Sequence, residues 1–137
     1  NLNRRYRMNI PTELKYTDSN EWIKLEGKTG TIGISDYAQE QLSDIVFAEI
    51  IVNEGDPVKK GDTIATIESV KAAADVYSPA SGKVLSINEG LSASPEVINH
   101  DPYGAAWIIK LELQDPAEIN PLLDASAYEK LIQNQQQ

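Results

Sequence analysis

Short runs in which β-branched and other apolar residues alternate with polar ones recur along the chain: "EWIKLE", "TGTIGI", "IVFAEIIV", "DTIATIES", "ADVYS", "GKVLSIN" and "AAWIIKLEL". Gly, Pro, Asn and Asp punctuate them. Apolar side chains two residues apart cover one face of an extended segment, and seven such segments separated by turn residues predict an all-β sandwich or barrel rather than βαβ units. Two stretches carry helical signals instead. "SDYAQEQLSD" offers Ser35 or Asp36 as the N-cap of about two turns. "DASAYEKLIQNQ" places Ala127, Leu131 and Ile132 on one face of a C-terminal helix capped near Asp124 or Ser126. Both helices are expected on the rim of the sheets.

At 137 residues and 41% hydrophobic, the chain suffices for one domain around one core. The ends differ from the middle. "NLNRRYR" (1–7) reads as an expression-tag remnant, 8–132 as the single domain, and "QNQQQ" (133–137) as a polar tail with nothing to bury. Cysteine is absent, which removes disulfides, thiol catalysis and thiolate metal sites. Net charge −9 has the wrong sign for a phosphate backbone and argues against nucleic acid as a partner. No apolar run approaches the ~20 residues of a membrane span, so a soluble intracellular protein without membrane partners is expected.

Within this frame Lys71 stands out. "GDTIATIES" leads up to it and "ADVYSPASG" away from it, so it lies near the reversal of a hairpin whose tip, "SVKA", lacks the Asn-Gly or Gly-X pair of tight hairpin loops. A type I-like turn is expected there. Most exposed turn lysines only solubilise. A catalytic Schiff-base lysine needs a desolvating pocket, which a protruding tip does not offer. An exposed amine on a rigid turn is well placed, however, to be acylated by another enzyme and to root a swinging arm.

"ESVKAAADVYSPASG" resembles the lipoyl-attachment segment of the glycine cleavage system H protein family, with Glu68 three residues before Lys71 and Gly82 eleven after it. "NEWIKLEG", "TIGISDYAQEQLSDIVFAEI", "GDPVKKGD" and "DPYGAAWIIK" are similar to family blocks in the same order, so the resemblance spans residues 14 to 132. It implies a hammerhead-like barrel or sandwich of two antiparallel sheets with a few short helices and a C-terminal helix. It also implies lipoate in amide linkage on Lys71, in a monomeric carrier that is not itself an enzyme. The partners implied are glycine decarboxylase (the P protein, with pyridoxal phosphate), which decarboxylates glycine and passes an aminomethyl group to the arm; aminomethyltransferase (the T protein), which passes the one-carbon unit to tetrahydrofolate; dihydrolipoyl dehydrogenase (the L protein), which reoxidises the dithiol; and the lipoylating enzymes. Ser19, Glu21 and Asp75 match positions that shelter the loaded arm in a cleft. The implied compartment is bacterial cytoplasm, or the mitochondrial matrix in a eukaryote.

The chain departs from the family pattern where Asn20 replaces a common histidine, and where Ala105-Ala106 replaces a glycine before the tryptophan. The net acidity suits long-range steering toward large partner enzymes. Other features have ordinary readings. "EGKTG" lacks the glycine of a phosphate loop, since Trp22 stands at that position. His100 beside Asp101 is the one histidine and has no companions for a metal site or a triad. Glu68 reads as a recognition residue or an exposed strand charge, and Trp22 and Trp107 as core anchors. Two further readings stay open: a lipoyl domain of another complex or an H-like lipoyl donor, and a free-standing enzyme, for which no convergent reactive groups are visible.

Overall fold

The computed structural model describes residues 8–135, and the reading of residues 1–7 as a tag lies outside them. Nine strands pair throughout in antiparallel fashion: β1 (Lys15–Tyr16), β2 (Glu21–Glu26), β3 (Thr29–Ile34), β4 (Ile45–Ile50), β5 (Pro57–Val58), β6 (Thr63–Ser69), β7 (Ala73–Tyr77), β8 (Gly82–Ile87) and β9 (Ile109–Leu113). They form a six-stranded sheet of order β1-β2-β3-β9-β8-β5 and a three-stranded sheet of order β4-β6-β7. The two sheets are those expected. The two strands beyond the expected seven, β1 and β5, are two residues long, too short for alternation to register.

Three α-helices occur among the described residues: α1 (Asp36–Leu42), α2 (Val97–His100) and α3 (Ala125–Gln135). Ser35 caps α1 by accepting from the Ala38 N–H, which settles the choice between Ser35 and Asp36. Asp124 rather than Ser126 serves α3, accepting from the Ala127 N–H at 2.8 Å. The face that α3 buries is Tyr128 and Ile132, with Ala127 and Leu131 only half-buried. The expected stripe therefore missed its largest member, Tyr128. Residues 133–135, read as tail, continue the helix with exposed side chains.

The run "AAWIIKLEL" is a strand only from Ile109. Its first residues belong to a compact loop in which Asp101 accepts from the Ala105 N–H through its carboxylate (2.8 Å) and from the Ala106 N–H through its carbonyl (3.1 Å). That side-chain bond offers the backbone an alternative to a sheet ladder.

The core lies between the two sheets and is aliphatic, with Ile23, Ile32, Ile64, Ile67 and Leu111 among its fully buried members. A second cluster of Leu14, Tyr16, Trp22, Tyr37, Tyr128 and Ile132 lies beneath α3. Strand β2 separates the two: Ile23 points into the first and Trp22 into the second, so its leading residues Glu21, Trp22 and Ile23 are all buried. Gly33 faces Trp22 in the register, and a Cβ there would stand 2.7 Å from the indole. Trp22 fills that space and donates its Nε1–H to the Ile34 and Pro102 carbonyls. It anchors the core as expected, whereas Trp107 is half-buried beneath the Lys110 ammonium, 5.1 Å from the ring centre.

Candidate functional site

Strands β6 and β7 are joined by the four-residue turn Ser69–Ala72, with Lys71 exposed at its tip. The turn contains no residue of positive φ, which excludes the type II and primed turns, and its Ala72 N–H bonds the Ser69 hydroxyl. Ser69 closes it. Its N–H donates to the Ala72 carbonyl (2.7 Å), and its hydroxyl accepts from the Lys71 and Ala72 N–H groups (3.2 and 3.0 Å). The Val70 N–H donates to the carbonyl of Asp44, just before β4 (3.0 Å). Backbone groups and one serine hydroxyl thus hold the base of the lysine, while its ammonium is free to move with the side chain.

A cleft of about 470 Å³ opens where the first strands of the large sheet meet the end of β7, and Ser19, Glu21, Lys60, Tyr77, Pro79 and Leu122 are among its lining residues. Glu21 is 1% exposed. Its Oε1 accepts from the hydroxyls of Thr17 and Ser19 (2.5 and 2.6 Å), and its Oε2 from the Tyr77 N–H (3.0 Å). Burial raises the carboxyl above the usual glutamate range, against the lowering effect of these hydrogen bonds. A raised folded value means that Glu21 contributes stability which is complete below the unfolded value and is lost as pH rises through the folded one. Glu21→Gln removes the titration. The stability of wild type relative to this variant should therefore fall as pH is raised from about 4 through the glutamate range, as read by urea unfolding at several pH values.

The loop carrying Ser19 and Glu21 is tied to α3. Asn20 has φ +77°, a left-handed conformation that asparagine tolerates better than most side chains. Its Oδ1 accepts from the Tyr128 hydroxyl (2.8 Å), which also bonds Ser35 Oγ (2.6 Å) and whose ring stacks on Tyr16 with centroids 4.5 Å apart. Asn20 thus has a structural task at the position where the sequence departs from its family pattern.

Comparison with known proteins gives this geometry its context. The family model described as glycine cleavage H-protein matches residues 14–135. The chain belongs to that family. A glycine cleavage system H protein of Symbiobacterium thermophilum is 50% identical over 121 residues, covering 88% of this chain and 94% of that protein. One from Carboxydothermus hydrogenoformans is 48% identical over 126 residues, covering 92% and 96%. The crystal structure of a glycine cleavage system H protein from Mycobacterium marinum superposes with a TM-score of 0.80 at 33% identity, covering 91% of this chain and 98% of that one.

Within this H-protein fold the residues singled out from sequence separate. Ser19 and Glu21 line one cleft and bond each other. Asp75 does not line it; it is exposed on β7, between Ala73 and Tyr77 on the outward-facing alternation of that strand. Lys71 and Glu68 flank the hairpin end, Glu68 exposed opposite Ala73. Gly82 belongs to the other sheet, paired with Val58 on one side and Leu113 on the other. His100 is exposed at the end of α2, and no group of three potential metal ligands occurs among the described residues. Gly27, at φ +65°, opens the two-residue turn between β2 and β3, so "EGKTG" is a hairpin turn. Sequence reasoning missed Thr17, Tyr77 and Tyr128. A backbone N–H from Tyr77 leaves no trace in residue type, and only Asn20, suited to positive φ, hints at the tie to α3.

Proposed function

We propose that this chain is the lipoyl-bearing carrier of glycine cleavage, with lipoate in amide linkage on Lys71. The observation that carries this reading is an exposed primary amine on a turn whose four backbone N–H groups are all hydrogen-bonded. The residues fit such a group: the amine is accessible, the turn is anchored to β4, and the outer face of β7 runs from it to the cleft. Asp75 is four residues from Lys71, about 13 Å along the strand, and Tyr77 six residues, about 20 Å. Lipoate so bound supplies a disulfide that takes up the aminomethyl group from the P protein, presents it to the T protein and is reoxidised by the L protein.

The chain's own residues bind and shield. A tether keeps the reactive end at high effective concentration near whichever enzyme has docked, and amide formation removes the lysine charge, lowering the cost of laying the arm on the surface. In the cleft, Ser19 and Thr17 hold Glu21 in place, and its carboxyl faces a space that can receive an ammonium group by a charge-assisted hydrogen bond. Asp75 provides a second carboxylate on the approach. Removing a charged partner of this kind costs about 1.5–3 kcal/mol. Glu21→Ala should therefore speed methylamine loss from loaded protein roughly tenfold or more, and Asp75→Ala should speed it less. Decay at the wild-type rate in both variants would remove the two carboxylates from this role.

The reading itself is tested by peptide mass spectrometry after incubation with a lipoate ligase and lipoate. A lipoyl increment on Lys71 alone supports it. An unmodified Lys71 overturns it.

A further inference from the structure

Strand β4 is an edge strand, and its pairing with β6 slips between Ile45, opposite Ser69, and Phe47, opposite Glu68. Val46 is the extra residue of a β-bulge, a device that re-aims side chains at a sheet edge. Ile45 and Ala48 are buried, while the two residues between them both face outward. Val46 is 56% exposed and Phe47 41%, and Val70 on the adjoining turn is 66% exposed. The bond from Val70 N–H to the Asp44 carbonyl holds that turn against this end of β4. A single exposed valine needs no explanation, but three large apolar side chains grouped on an edge strand and the turn beside it are an aggregation liability unless something covers them.

Two observations select the occupant. The patch adjoins Lys71, whose side chain reaches only about 6 Å from its Cα. An enzyme that forms an amide at Nζ must therefore press its own surface against the turn and whatever flanks it. Enzymes acting later on the arm meet a reactive end carried beyond the turn by the acyl chain. Second, the patch is bordered by exposed Asp44, Glu49 and Glu68, so a complementary surface is apolar at its centre and basic at its rim.

We infer that Val46, Phe47 and Val70 form the docking surface for the enzyme that acylates Lys71. This rests on Lys71 being the lipoyl site. The bulge presents an apolar seat at a fixed offset from the amine, so the seat sets how the lysine enters the acylating active site.

The test is steady-state lipoylation by a lipoate ligase with the carrier as varied substrate, comparing wild type, the double variant Val46→Ser/Phe47→Ser and the single variant Val70→Ser. All three positions are exposed, so thermal unfolding should remain close to wild type. The expected result is a KM for the double variant raised about tenfold or more with kcat little changed, and a smaller rise for Val70→Ser. Asp44→Lys should raise KM as well and weaken its dependence on salt. A wild-type KM in well-folded variants would overturn the docking surface. Failure of wild type itself to be acylated would instead overturn the carrier reading and the docking surface with it. Double variant acylated by prolonged incubation should have its lipoyl disulfide reduced at the wild-type rate by dihydrolipoyl dehydrogenase running in reverse, with NADH as the two-electron donor, and an equal loss there would overturn the assignment to the acylating enzyme.

Discussion

Replacing Lys71 with arginine should abolish carrier activity while leaving the fold intact. Arginine retains the charge and most of the reach, but its guanidinium is protonated under all ordinary conditions and does not form the amide. Lys71 is exposed, and the turn is held by the Ser69 hydroxyl and backbone groups rather than by the lysine side chain. Unfolding free energy should therefore stay within about 0.5 kcal/mol of wild type. Lipoyl incorporation and glycine-dependent CO₂ release with the other three proteins should both fall to background. Residual incorporation at another lysine would show that the enzyme selects something other than this turn.

A second large effect is expected from Gly82→Ala, for a different reason. Gly82 lies eleven residues from Lys71 and belongs to the attachment motif by resemblance, which suggests a contact with the modifying enzyme. The structure gives it a packing reason. A Cβ at Gly82 would overlap the Glu112 carbonyl oxygen and stand 2.9 Å from its carbon and 3.1 Å from Leu113 Cα. Those atoms belong to β9, near the middle of the large sheet, and cannot swing aside as a flexible side chain would. We expect a destabilisation of about 3 kcal/mol or more and a melting temperature lower by about 10 °C or more, measured by calorimetry. If the loss of lipoylation in this variant parallels the loss of folded protein, Gly82 acts through the sheet. A fully folded Gly82→Ala that is not lipoylated would restore the contact reading.

The sequence was informative wherever one residue type permits few conformations or where a face alternates cleanly. An all-β sandwich or barrel followed from period-two runs and turn residues, its two antiparallel sheets from the resemblance, and the Lys71 hairpin from two such runs meeting at a short tip. Strand β2 shows the limit: its first three residues are all buried because α3 covers one face and the second sheet the other, and no local pattern encodes the second cover. Tyr128 was passed over for the same reason, its hydroxyl being satisfied by Asn20 and Ser35, residues far away in the chain. The Glu21 cleft was legible only by resemblance. Its geometry depends on a backbone N–H from Tyr77 and a wall from residues 121–123, brought together by the fold.

The order of the strands along the chain bears on how the protein is made. The three strands of the smaller sheet all lie within Ile45 to Tyr77, with only the two-residue β5 of the larger sheet between them, whereas the six-stranded sheet needs Thr29 to find Glu112 and Pro57 to find Lys83. Local pairings close quickly and distant ones wait for loop closure. During synthesis the lysine hairpin and its bulged neighbour can therefore form as soon as they leave the ribosome, while Glu21 gains its full set of neighbours only near the end of translation. A nascent chain would thus display the Lys71 turn before the cleft around Glu21 is complete, an order written into the spacing of the strands.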